Sequence, residues 1–222
     1  MRPGLAAACS CLCRHKPTPR RTHVKSLLSQ RRILSIALLL ALAPLLQAQA
    51  APQAITLHLN PSTTEIHWIL NGNMHTVHGT FKLKGGLITY NPATGAAQGE
   101  IAVDLATGES GNHSRDSRMQ KEILESDKYP QAIFHPVKVT GSVKAGSSQN
   151  VTVDGTFTIH GTDHPLKIDA KVDVAGSDAT ATAQFTIPYV EWGLKDPSNF
   201  IFRVDKSVEI DVTAKGTIEG VR

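Results

Sequence analysis

The sequence predicts an all-β fold, an antiparallel barrel of about eight to ten strands carrying one short helix. Turn-forming pairs recur about every ten residues: Asn60-Pro61, Asn71-Gly72, Gly85-Gly86, Asn91-Pro92, Gly146-Ser147, Gly161-Thr162 and Gly176-Ser177. The segments between them alternate in polarity and are rich in Val, Ile, Thr and Phe. Only one stretch, Ser114 to Leu124, has helical periodicity free of Gly and Pro. A sandwich of this length is also allowed, but closure of consecutive one-sided strands leaves no exposed edge, which favours the barrel.

Residues 1–50 read as a secretory signal peptide. They hold eight basic residues and no acidic one, then an apolar run from Ile33 to Leu46, then Ala48-Gln49-Ala50 at the cleavage position. The run is short of the ~20 residues a membrane span needs. Arg31-Arg32 is a weak twin-arginine signal, and general secretion is favoured. Removing this segment reverses the charge. The 23 basic residues less those eight leave 15 against 19 acidic ones, a balance of −4. The basic character belongs to the leader and gives no support to nucleic-acid binding. Cys9, Cys11 and Cys13 leave with it, so the mature chain, residues 51–222, has no thiol for a disulfide, nucleophile or metal. Export without disulfides suits a periplasm.

The mature chain assigns its own faces, because successive side chains on a strand point to opposite sides. Ile66, Trp68 and Leu70 share one face, followed by His75, Val77, Gly79, Phe81 and Leu83. Ile101, Val103 and Leu105 oppose Ala102 and Asp104. The helix brings Met119, Ile123 and Leu124 to one side, with Asn112 or Ser114 as its cap and Tyr129-Pro130 as its end. Pro136 marks a bulge or an edge. Val151, Val153, Phe157 and Ile159 are dry, as are Leu166 to Val174 at every second position. Ala181, Ala183, Phe185 and Ile187, then Val208, Ile210, Val212 and Ala214, complete the dry face. Small residues on it leave two readings open: room for one ligand, or alanines that complete a solid core opposite bulkier neighbours.

Candidate chemistry is sparse. His75 and His78, and His160 and His164, have zinc-like spacings, but the first pair has opposite parity and the second straddles an expected turn, so all four are read as surface histidines. No Gly-x-Ser-x-Gly elbow is present. His113, Ser114, Arg115 and Asp116 form the best enzymatic cluster by composition, and are read as a helix start. Tyr189, Trp192, Phe200 and Phe202 gather around a loop interrupted by Gly193 and Pro197, a candidate cavity mouth.

Several of these pieces carry a resemblance. They are Arg115-Asp116, Met119, Leu124-Glu125-Ser126, and Tyr129-Pro130 before a strand with Phe134. Val77-His78-Gly79-Thr80-Phe81 and the run from Val153 through His160-Gly161 to His164-Pro165-Leu166 add to them. In order and spacing they resemble the YceI-like family. One departure is that Ile187 to Gly193 lacks the Arg that many members carry before an aromatic-Gly pair. The resemblance implies a secreted or periplasmic, extended, eight-stranded lipocalin-like barrel with its short helix after the first strands. It implies an apolar tunnel for a polyisoprenoid or fatty-acyl chain, with no catalytic residue, metal or cofactor beyond that lipid. The dry-face residues Trp68, Phe81, Val103, Phe134, Phe157, Ile159, Ala181, Ala183, Phe185 and Val212 would line it. The expected partner is a long-chain apolar lipid or an isoprenoid quinone-like ligand, for carriage, storage or sequestration. Neither nucleic acid nor a transmembrane anchor after processing is expected, and a homodimer is left open. The alternatives are a secreted enzyme for a hydrophobic substrate, using His113, Arg115 and Asp116, and a structural barrel with a filled interior.

Overall fold

Long alternating segments become long strands. A computed structural model describes residues 53–221. The expected leader, its cleavage site and the three cysteines lie outside the described residues. In chain order the elements are β1 (Ile55–Leu59), β2 (Glu65–Leu70), β3 (Val77–Tyr90), β4 (Ala97–Glu109), α1 (His113–Arg118), a π-helical turn (Met119–Leu124), β5 (Gln131–Thr140), β6 (Ser148–Ile159), β7 (Thr162–Ala175), β8 (Asp178–Ile187) and β9 (Val208–Glu219). All pairings between these strands are antiparallel, and β3 pairs with β4 to close the sheet on itself.

Nine strands occupy eight positions around the barrel, because β1 and β2 lie end to end. Both pair with β3 and β9: β1 with Gly86–Tyr90 and Gly216–Glu219, β2 with Val77–Phe81 and Glu209–Thr213. Residues 60–64 form an excursion between the halves. Pro61 has no N–H to give a ladder. The Asn60 carboxamide instead accepts from the Ser62 N–H at 2.9 Å and hydroxyl at 2.7 Å. The two ends of the excursion are tied to one residue of β9: the Asn60 N–H donates to Lys215 O at 2.8 Å, and the Lys215 N–H donates to Thr64 Oγ1 at 3.2 Å.

Gly85-Gly86, expected as a turn, lies inside β3, at register shifts against β4 between Thr80 and Lys82 and between Leu83 and Gly85. A Cβ on Gly86 would come within 2.7 Å of the Leu59 side chain, so the glycine admits the end of β1. The shifts also change parity. Val77, Phe81 and Leu83 face inward, and then Ile88 and Tyr90 do so. Pro136 sits at a bulge in β5, as expected, which returns Val139 to the interior.

The helix differs from expectation in its ending. Asn112 caps it, accepting from the Arg115 N–H at 3.1 Å. After Arg118 it widens into the π-helical turn and stops at Glu125, in the left-handed region at φ 46°, short of Tyr129-Pro130. Ile123 and Leu124 are buried as predicted. Ala102, expected on the wet face, is buried as well.

Candidate functional site

Buried walls enclose space rather than a solid core. A cavity of about 690 Å³ runs inside the barrel, and all nine strands contribute inward apolar side chains to it. Among the described residues no large side chain falls below 2% exposure, which fits an interior whose walls face an open space. Trp68, Phe81, Val103, Phe134, Phe157, Ile159, Ala181, Ala183, Phe185 and Val212 all line this one cavity. The small residues form a patch: Ala170 is opposite Ala183, and Ala181 is opposite Ala214. These pairs widen the bore across β7, β8 and β9.

The two ends differ. At one, Ile55, Tyr90, Val139, Val151, Val172, Val174, Ala179 and Ile218 form a buried cluster. At the other, the cavity wall includes the exposed residues His75, Ser114, Arg118, Asn199 and Phe202, so the bore reaches the surface there. Among the described residues no Asp, Glu or Lys lines the cavity, and the two arginines that do, Arg115 and Arg118, lie at this mouth with His75.

The expected Arg115–Asp116 cluster holds the mouth together through Ser110. Arg115 Nε donates to Ser110 Oγ at 2.7 Å and its Nη2 to the Ser110 carbonyl at 2.8 Å. The Ser110 N–H donates to Asp116 Oδ1 at 2.9 Å, and the Ser110 hydroxyl donates to the same oxygen. The Asp116 carboxylate therefore organises the approach to α1, and His113 is exposed outside the cavity wall.

A long loop, residues 188–207, folds over the same end. Its Tyr189 is buried, donating from its hydroxyl to the Asp205 carbonyl at 2.8 Å. Burial, then the Asp196 and Asp205 charges, push the Tyr189 pKa up to about 12. Asp196 is held below the usual carboxylate range by hydrogen bonds from the Ser198 side chain and backbone, with Lys206 adding to the effect. Lys195 reaches across to Glu122 on the π-helical turn at 2.8 Å, and Arg118 stands 3.5 Å from the same carboxylate. The Lys195 contact, with Arg118 second, lowers the Glu122 pKa.

The aromatic cluster expected here divides. Trp192 stacks on His164 at 4.3 Å and lies 5.9 Å from Phe157, whereas Phe200 is almost wholly exposed. His160 and His164 are half-buried rather than surface residues. His164 has the parity of Leu166 and faces the aromatic side. His160 forms the two-residue β6–β7 turn with Gly161, at φ 51° and 75°, and is held by Tyr129 at 4.4 Å and Glu125 at 3.6 Å. His75 and His78 are exposed. Among the described residues no three His, Cys, Asp or Glu side chains gather as a metal-holding group.

Sequence reasoning placed the loop around Gly193 and Pro197 at a candidate cavity mouth but did not name Leu59, Met119, Leu194, Asn199 or Val204 as cavity residues. Met119 alone carried a usable signal, through its helical periodicity; the rest come from loops or a strand end.

A family model described as the YceI-like domain matches residues 57–216. A UPF0312 protein of Vibrio cholerae serotype O1 is 32% identical over 104 residues, which is 46% of this chain and 53% of that protein. The chain thus spans about half the length of that relative. Among solved structures, a polyisoprenoid binding domain from Saccharophagus degradans aligns with a TM-score of 0.57 at 14% identity, over 73% of this chain and 98% of that one. Burkholderia cenocepacia BcnA aligns with a TM-score of 0.57 at 17% identity, over 71% and 98%. At these identities the structural likeness shows the shared fold. Among the described residues no helix is long and apolar enough to cross a membrane.

Proposed function

The chain belongs to the YceI-like domain family, and from that premise we propose that it is an exported binding protein that holds one long apolar lipid, of polyisoprenoid or fatty-acyl type, inside its barrel. The observation that carries this reading is the continuous apolar bore of about 690 Å³, within the size range of ligand sites. The Saccharophagus structure that shares the fold is described as a polyisoprenoid binding domain. The ten residues from Trp68 to Val212 that the sequence nominates are the chain-binding wall in this reading. Recognition is burial: each methylene taken from water contributes about 0.8 kcal/mol, less the cost of ordering the ligand. The apolar tail lies in the bore, and the polar head stays at the mouth, where the cationic side chains are. The ligand is carried, stored or sequestered. The leader-like sequence of residues 1–50 and the absence of cysteine beyond it support a periplasmic or secreted setting.

Mass spectrometry of an organic extract of the native protein should find a long-chain lipid in stoichiometric amount. Ala183→Phe and Thr182→Phe test the position of the chain. Ala183 lines the bore, and Thr182 faces out. The inward ring should abolish lipid retention with little loss of stability in the delipidated protein, and the outward ring should leave retention intact. If Ala183→Phe instead destabilises the empty protein by the ~1–3 kcal/mol of an overpacked core, and no lipid is recovered from the wild type, the filled structural barrel replaces this reading.

A further inference from the structure

The mouth of the bore carries apolar side chains in water. Phe200 is 97% exposed, Ile201 67%, Phe202 49% and, on the β2–β3 loop, Met74 65%. Scattered exposed apolar residues need no explanation, but these four belong to two hydrogen-bonded loops at the edge of one cavity. The Asn199 carboxamide accepts from the Ile201 N–H at 3.0 Å and the Phe202 N–H at 2.8 Å. The Asn199 N–H donates to the Phe202 carbonyl at 2.8 Å. Asn73 ties the second loop to the first: its side chain donates to the Ile201 carbonyl at 3.1 Å and accepts from the Arg203 N–H at 3.0 Å, and its N–H donates to the Arg203 carbonyl at 2.9 Å. The polar groups of this tip are largely satisfied from within, and its apolar side chains are presented outward. Such internal pairing reduces the cost of lowering irregular backbone towards the hydrocarbon boundary, beyond which unpaired N–H and C=O groups are costly.

We propose that this rim is a bilayer-docking surface, through which the mouth of the barrel sits on a membrane while an apolar chain passes in or out. Phe202 both projects at the rim and lines the cavity, so the docking surface is continuous with the bore wall. Arg203 follows directly, placed to reach lipid phosphate as arginines do at interfaces. The loop charges balance, with Lys195, Arg203 and Lys206 against Glu191, Asp196 and Asp205. A balanced loop suits a zwitterionic surface, and the attraction is apolar rather than electrostatic. The role in chain transfer rests on the lipid-binding reading; the docking itself does not.

The test is co-sedimentation of exported protein, its amino terminus read by intact mass, with phosphatidylcholine vesicles, at low salt and at about 0.5 M salt. The comparison variant is Met74→Ser/Phe200→Ser/Ile201→Ser, which leaves every cavity-lining residue unchanged. Wild-type protein should bind the vesicles equally at both salt concentrations, and the triple variant should bind at least about tenfold more weakly. The variant should accept a detergent-delivered apolar chain as fully as the wild type, and take it from vesicles more slowly. Equal vesicle binding by both proteins, release of the wild type by salt, or dimerisation of the wild type through these side chains would overturn the proposal. Vesicle binding with no chain uptake by either protein would leave docking standing and sink the lipid-binding reading.

Discussion

Gly79 shows how a residue without a side chain shapes the bore. It lies opposite Trp68, and a Cβ there would come within 2.3 Å of the indole and 2.4 Å of the Glu109 carbonyl. The backbone contact cannot give, so Gly79→Ala should displace the Trp68 ring and destabilise the protein by about 1–3 kcal/mol, read from the denaturant midpoint. Tyr189 makes a pH-dependent prediction. Its hydroxyl titrates at about 12 in the folded chain against an ordinary 10.0. Below pH 10 both folded and unfolded states keep the proton; between 10 and 12 the unfolded chain releases it first. The contribution of Tyr189 is therefore complete below pH 10 and is lost as pH rises through that window. Tyr189→Phe should remove this part of the alkaline decline, and should cost about 1 kcal/mol at neutral pH through the lost bond to Asp205. At this scale the sequence was informative about residue type and poor about exposure: Trp192 and Phe200 share a loop, yet one stacks on His164 and the other stands in water.

The strand faces were legible because alternation is a direct consequence of pleating, and it places Val151, Ile168, Phe185 and Ile210 in the bore without knowledge of any partner. The parity changes were not legible in β3. A bulge adds one residue to one strand, and a Gly-Gly pair reads locally as a turn; only the close approach of Leu59 shows why the strand continues through it. The end of the helix was hidden for a similar reason, since Glu125 holds a left-handed conformation that glycine or asparagine usually signals. The loop of residues 188–207 was illegible beyond its composition, because its shape depends on contacts remote in sequence, with Asn71 and Asn73 between β2 and β3, Arg118 and Glu122 of the helical segment, and His164 of β7. The π-helical turn rests on β4 through Gln120, whose side-chain amide donates to the Ala106 carbonyl at 2.9 Å and the Gly108 carbonyl at 3.3 Å. Gln120→Ala should therefore cost about 1–2 kcal/mol and loosen the mouth, seen as faster amide exchange across residues 113–125.

A hollow barrel lacks part of the packing that stabilises a filled one, so occupancy should show in its stability. Delipidated protein should melt lower than native protein, and restoring a chain at a hundred times its dissociation constant should return about 2.7 kcal/mol. Treatment with EDTA should leave the melting temperature unchanged; a fall reversed by zinc would show that the histidines hold a metal after all. The divided stave between β3 and β9 has a different consequence, for the order in which the chain can be written. Gly220 packs so closely on Ala54 that an added Cβ would lie 2.3 Å from the Ala54 carbonyl, so the described span begins and finishes side by side. A circular permutant that joins these ends through a short linker and opens the backbone between Ser62 and Thr63 cuts no ladder. Such a protein should fold to the same barrel with the same bore, and the ring of strands would then have no obligatory first member.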